Sequence, residues 1–237
     1  MSLPHIVAID GPVASGKSTV GKRLADRLGY LFFDTGLMYR ALTYLSLREQ
    51  VPIADAAALA AFAERTEIDI RPPEPSERDG RDATVLAGGE DITASLRSGE
   101  VEASVSPVAA VPAVRAILTA AMRRVGLRGR VVMVGRDVGT AIVPEADAKI
   151  FLTASVETRA QRRYAEISAR GEDRAYDEVL SNLAERDRID SSRQTAPLRA
   201  AADAAQIDTS GLSLDEVVTL LERHVTGQLE PGNRSSA

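Results

Sequence analysis

Residues 6–19 read I-V-A-I-D-G-P-V-A-S-G-K-S-T, from Ile6 to Thr19, and their reading decides the fold. The apolar run Ile6-Val7-Ala8-Ile9 predicts a buried strand, and the pattern after Lys17 predicts a helix over 17–28. Between them, Gly11 to Ser18 fit G-x-x-x-x-G-K-[ST] in the strand-turn-helix setting that gives this pattern its meaning. Glycines let backbone N–H groups curl around a phosphate, and the helix behind them points its positive dipole end at the same anion. Lys17 then reaches the outer phosphates of a nucleotide, and the Ser18 hydroxyl is placed to ligate Mg²⁺. The plain alternative is a connection that carries glycines by chance. Lysine usage weighs against it: Lys17, Lys22 and Lys149 are the chain's three lysines, and one stands where the pattern requires it.

Composition narrows what such a site does. A chain of 237 residues buries a sizeable core, as one domain with insertions or a core plus a subdomain. Absent cysteines exclude disulfides, thiolate nucleophiles and zinc-thiolate sites, and fit a reducing compartment. Two histidines, His5 and His224, leave no basis for a histidine triad or metal cluster. A formal charge of -5 argues against nonspecific nucleic-acid binding. No long apolar run is present, and residues 1–4 lead straight into the first strand, so the expectation is a soluble, cytoplasmic enzyme or switch using Mg²⁺-nucleotide.

Along the chain, short apolar strands alternate with helices: strands at 30–33, 131–134, 149–152 and 206–207, helices at about 36–48, 55–65 and 155–170. That alternation predicts a parallel sheet covered on both faces, with ligands beyond the carboxyl ends of the strands, where Asp34, Arg136 and Asp208 fall. The stretch 66–104 breaks the rhythm with β-like fragments at 68–70 and 84–86, a Pro- and charge-rich loop at 71–82 and a Gly88-Gly89 turn signal. It reads as a surface insertion or as a small antiparallel subdomain closing over a second substrate. The segment 229–237 reads as a frayed tail.

Several phosphate-loop classes drop out. No asparagine is followed by lysine, so the Asn-Lys-x-Asp base reader of guanine-nucleotide switches is missing, and Val131 to Val134 end in Gly135-Arg136 rather than paired acids. Arginines stand instead at the ends of elements. Transfer between two nucleotides needs many cations, because two polyanions must approach and share spreading charge, and the planar guanidinium suits that task. Thr35 at a helix start and Arg40 about a turn on read as an anion pocket, or as a plain N-cap with a solvated arginine. Arg136 and Asp137 follow a strand end, where a structural turn is the rival. Arg159, Arg162, Arg163 and Arg170 line one helix, as a site wall or as a solvated face. Arg186, Asp190 and Arg193 are spaced i, i+4, i+7 and share one helix face, as a substrate clamp or as a self-satisfied salt-bridge stripe.

These residues together resemble the bacterial cytidylate kinases, within the nucleoside monophosphate kinase group. The likeness covers about residues 5–225. It rests on I-D-G-P-x-x-S-G-K-S at 9–18, D-T-G-x-M-Y-R at 34–40, G-x-D-I-T-x-x-L-R at 89–97 and S-x-V-A-A-V-P-x-V-R at 106–115. G-R-D-V-G-T at 135–140, K-I-F-L-T-A-S at 149–155, R-D-x-x-D-S-x-R at 186–193 and A-P-L at 196–198 complete it. The resemblance implies an α/β fold: a three-layer P-loop kinase core over 1–65 and 105–228, an antiparallel acceptor-binding insertion at 66–104, and a helical lid at about 155–172. It implies ATP with Mg²⁺ on Gly11, Pro12, Val13, Ala14, Ser15, Gly16, Lys17, Ser18 and Thr19, the metal held through Ser18, phosphates and water. The acceptor pyrimidine falls to Ser106, Arg115 and Asp137, its ribose to Asp190 and Arg186, its phosphate to Thr35, Arg40, Arg136 and Arg193. Lys17, Arg136, Arg193, Arg159 and Arg163 are the catalytic cations. One departure is Val134, where the family commonly has an acid, which leaves Asp34 as the nearest carboxylate for the metal.

The chemistry implied is direct transfer from ATP to CMP or dCMP by a monomer. A CMP phosphate oxygen is already ionised near neutral pH, so no general base is needed, in keeping with the lack of candidate histidines and cysteines. Alignment, Mg²⁺ and cation clamping supply the catalysis, with closure keeping water out. Alternatives are a kinase for AMP, UMP or a small hydroxyl metabolite, and a nucleotide-dependent switch without catalysis.

Overall fold

A computed structural model describes residues 3–77, 79–169, 171–193 and 195–227. Arg170 and the expected tail at 229–237 lie outside the described residues. Strand β1 (Ile6–Asp10) is buried along its whole length and forms the centre of a five-stranded sheet. Its neighbours are β6 (Val131–Gly135) on one side and β7 (Ala148–Thr153) on the other, with β2 (Leu31–Asp34) and β8 (Ala205–Asp208) at the edges, every pairing parallel. Alternate residues of each strand feed opposite cores. Ile6, Ala8, Phe33, Val131 and Met133 face one, while Val7, Ile9, Phe32, Val132 and Val134 face the other. A sheet buried on both faces needs apolar residues at every position, which is why these strands read as continuous runs.

Helices α1 (Lys17–Leu28) and α8 (Leu214–Val225) cover the second face. Gly21 lets α1 sit close, since a Cβ there would lie 2.6 Å from Val134 Cγ1. The first face is covered by α2 (Gly36–Arg48), α3 (Ala56–Arg65) and α5 (Pro112–Gly126). The insertion forms a second sheet, antiparallel, of β3 (Ile68–Arg71), β4 (Thr84–Ala87) and β5 (Glu90–Asp91). Ile68, Ile70, Val85, Ile92 and Leu96 join the first core, so this sheet is packed onto the molecule.

Helix α4 (Gly99–Ala110) follows the insertion, and the expected division at 104/105 falls inside it. It meets α5 at a 100° bend. The residue before a proline is driven out of the helical region, and Val111, before Pro112, sits at ψ 116°. Among the described residues no single helix is long and apolar enough to cross a membrane. Helices α6 (Val156–Ala169) and α7 (Tyr176–Ser192) form a hairpin with its own small core of Ala160, Ile167, Val179 and Leu183. Val13 of the glycine-rich loop packs against that core, so the hairpin and the loop share a wall.

Candidate active site

The loop after β1 is shaped by close approach. A Cβ on Gly11 would lie 2.1 Å from the Leu152 carbonyl oxygen, so only glycine lets the chain pass the end of β7. Gly16 turns into α1 at φ 88°, with open space where a side chain would stand. The start of α1 has no side-chain cap and no acidic residue in its first turn, the condition in which free helix N–H groups can receive an anion. Lys17 Nζ donates to the Pro12 carbonyl at 2.9 Å. Burial holds its ammonium well below the ordinary lysine value; Arg136 and Arg186 repel it further, and Asp34 and Asp10 oppose them. Ser18 Oγ lies 3.3 Å from Asp34 Oδ2, while Ser15 Oγ is buried without a partner. Thr19 is exposed in the first turn of α1.

Thr35, at the start of α2, is tied to β6: its N–H and its hydroxyl both donate to the Val134 carbonyl at 3.0 Å. Gly135 makes room for it, since a Cβ there would lie 2.6 Å from Thr35 Oγ1. Arg40 extends across to α4 and pairs with Glu102. The Arg40 hydrogen bond depresses the Glu102 carboxyl, and the charges of Arg163 and Arg186 add to that effect.

Asp190 is the most enclosed carboxylate here, 1 % exposed. Arg136 Nε donates to its Oδ2 at 2.9 Å, and Arg193 Nη2 lies 2.5 Å from its Oδ1. The arrangement differs from a helix-face stripe. Helix α7 ends at Ser192, Arg193 stands just beyond it with extended backbone, and the second cation on Asp190 is Arg136 from the end of β6 rather than Arg186. The Arg186 guanidinium is lowered by desolvation and then by repulsion from Arg136 and Arg193, with Asp190 and Glu102 opposing.

Arg115 on α5 and Asp137 form a buried ion pair at 3.1 Å, and the Arg115 guanidinium lies 5.6 Å from the centre of the Tyr39 ring. Arg115 Nε is buried without a partner. Burial raises the Asp137 carboxyl, against the pull of Arg115 and Arg193, and pushes the Tyr39 hydroxyl up to about 12. Ser106 is exposed on α4.

The α6 arginines divide. Arg159 is buried, donating to the carbonyls of Ala154 and Val13 and, through Nη2 at 2.6 Å, to Asp187 on α7. Arg162 binds the hydroxyl and carbonyl of Thr209 after β8. Arg163 is half-buried and pairs with Glu166 on its own helix. Residues that carried no role in the sequence reading also meet here: Asp10, Tyr39, Glu102, Asp187 and Thr209. Asp10 left a signal, an acid closing an otherwise apolar strand, and Tyr39 and Asp187 stand inside quoted motifs without an assigned role; Glu102 and Thr209 left none. Among the described residues, no group of three or more His, Cys, Asp or Glu side chains is gathered to hold a metal.

A sequence model described as Cytidylate kinase matches residues 7–226. Curated proteins named Cytidylate kinase match along most of their lengths. That of Herpetosiphon aurantiacus is 53 % identical over 92 % of both chains. That of Geobacillus sp. is 48 % identical over 90 % of this chain and 92 % of its own, and that of Chloroflexus aggregans 46 % over 98 % and 100 %. A solved structure of an uncharacterized protein from Eubacterium ventriosum shares the fold alone, with a TM-score of 0.50 at 12 % identity over 94 % of this chain and 98 % of that one. The matched stretch takes in the glycine-rich loop, the insertion, the 135–139 turn and the α6–α7 hairpin, and the chain belongs to the cytidylate kinase family.

Proposed function

We infer that this kinase transfers the terminal phosphoryl group of ATP to CMP, giving CDP and ADP. The observation that carries the reading is a convergence of cations. Burial and then the charge of Arg136, at the end of β6, lower both Lys17 on α1 and Arg186 on α7, and Arg136 shares Asp190 with Arg193 just past the end of α7. Like charges held together are unfavourable unless anions come between them, and two nucleotides bring such anions. No base is needed, because the attacking phosphate oxygen is already ionised. The chain's task is to align the two phosphates, stabilise the spreading charge and exclude water.

ATP phosphates are assigned to Gly11, Pro12, Val13, Ala14, Ser15, Gly16, Lys17, Ser18 and Thr19. The acceptor base is assigned to Ser106, Arg115 and Asp137, the ribose to Asp190 and Arg186, and the acceptor phosphate to Thr35, Arg40, Arg136 and Arg193. Arg163 is assigned to the ATP side. Arg159, whose donors are engaged by Val13, Ala154 and Asp187, serves catalysis by fixing the loop against α7. Mg²⁺ fits the residues present: Ser18 beside Asp34 offers a hard oxygen site that is completed by phosphates and water. Bound there, the ion would supply charge neutralisation for phosphate groups. dCMP is accepted as well, and the acting unit is one chain in the cytoplasm, whose own residues supply both nucleotide sites.

A coupled assay of ADP formation against a panel of nucleoside monophosphates tests the reading. CMP and dCMP should give the highest kcat/KM of the panel. Preference for AMP or for a hydroxyl metabolite would refute the acceptor assignment, and nucleotide binding without acceptor-stimulated turnover would make the chain a switch.

A further inference from the structure

We propose that Asp10 is a positioning residue for the acceptor nucleotide: its carboxylate fixes the 135–139 turn and so aims Arg136 and Asp137. The inference rests on the acceptor assignment above. Asp10 is the last residue of β1 and 4 % exposed. Its Oδ1 accepts from the Val138 N–H and its Oδ2 from the Gly139 N–H, each at 2.8 Å. Pairing between β1 and β6 ends at Asp10 and Gly135, so beyond that point the sheet no longer holds the chain carrying Arg136 and Asp137. A single helical turn follows, Val138–Ile142, and its first N–H groups need acceptors.

The residue that would ordinarily supply one is Asp137, at the N-cap, yet its side chain caps nothing and turns to Arg115 instead. Asp10 caps the turn from a neighbouring strand, and that frees the Asp137 carboxylate to hold Arg115. Holding a carboxylate here is costly: desolvation pushes it up to about 6 and the nearby Asp137 adds to that, although both N–H groups and Lys17 favour its charged form. Buried charge that is unfavourable for folding is reasonably kept for placement. The competing role is counter-ion to Lys17, and that would act on ATP first.

The test is Asp10→Asn in the full chain, with Kd for CMP and for ATP measured separately by calorimetry and KM for each from the coupled assay. An amide oxygen accepts from one of the two N–H groups and sets an NH₂ against the other. CMP affinity should fall about tenfold, ATP affinity should change less than threefold, and amide exchange at Val138 and Gly139 should quicken. An unchanged CMP Kd, or a loss led by ATP, overturns the inference. Arg136→Ala measured alongside separates the two claims. If it leaves CMP binding intact, the acceptor assignment fails; if it weakens CMP while Asp10→Asn does not, the Asp10 role alone fails. Should asparagine unfold the protein, Asp10→Ser, smaller and able to accept from one N–H, takes its place in the same comparison.

Discussion

Replacing Asp190 by asparagine tests the acceptor site where its charges meet. The carboxylate receives Arg136 on one oxygen and Arg193 on the other, at 2.9 and 2.5 Å, in a nearly closed position. Hydrogen bonds to charged groups contribute about 1.5–3 kcal/mol each, and removing one partner of a buried pair destabilises by about 3–5 kcal/mol. Both guanidinium groups keep part of their surface in water, 20 % for Arg136 and 32 % for Arg193, so they rehydrate in part. A stability loss of about 2–3 kcal/mol follows once that solvent screening is allowed for. If Asp190 also accepts from the ribose 2′-hydroxyl, CMP loses a charge-assisted contact that dCMP never had. At about 1.5 kcal/mol, the CMP preference over dCMP should then contract roughly tenfold. The assay is kcat/KM for both acceptors at saturating ATP, in wild type and Asp190→Asn, with urea unfolding alongside. A full stability loss with an unchanged CMP/dCMP ratio would refute the 2′-hydroxyl contact and leave Asp190 as the tie between two arginines.

Lys17→Ala should lower kcat by about 10²–10³ with an unchanged unfolding midpoint, because the bond lost is one to a loop carbonyl; near-normal turnover in a folded variant would sink the phosphate-loop assignment. Arg115→Met should raise KM for CMP far more than KM for ATP, and equal effects on both would make Arg115 structural. The same variant strips the Asp137 carboxyl, already raised by burial, of its paired cation, leaving only the more distant charges of Arg193 and Arg136. A carboxyl raised in the folded state favours folding below its unfolded value and loses that contribution as pH climbs through the folded one. Unfolding at pH 5 and pH 8 should therefore place Arg115→Met closer to wild type at pH 5, and a pH-independent difference would refute the reasoning.

The sheet was legible because its information is local. Each strand is a short run apolar on both faces, and the glycine-rich loop joins β1 to α1 without interruption, so strand, turn and helix announce one another. Helix α4 was hidden for the opposite reason. Its sequence G-E-V-E-A-S-V-S-P-V-A-A is short in large apolar residues and carries Pro107 near its end. The sequence reading places no helix there, its first half falling in the insertion and its second in the core, and its identity comes from packing on α2.

The site was legible as a set of residue types but not as a set of pairs. Helical spacing put Arg186, Asp190 and Arg193 on one face, and the expectation that both arginines flank the carboxylate followed from that periodicity. The structure breaks it in two ways. The helix stops at Ser192, and Arg136, 54 positions away in sequence, takes the place assigned to Arg186. Arg159 makes the same point: a charged helical residue becomes a buried strut because Val13, 146 positions earlier, and Asp187, 28 later, present it with acceptors. Periodicity reports which side chains share a face, whereas the far partner is fixed by how strands order in the sheet. Strand β1 lies between β6 and β7, so the loop that follows it is bordered on one side by the turn carrying Arg136 and Asp137 and on the other by the segment leading into α6. Asp10 stands where these neighbours meet, joining the phosphate loop, through two backbone N–H groups, to the turn assigned to the acceptor. A strand order of β2-β6-β1-β7-β8 thus brings three segments remote in sequence to one end of the sheet, where the proposed transfer needs them together.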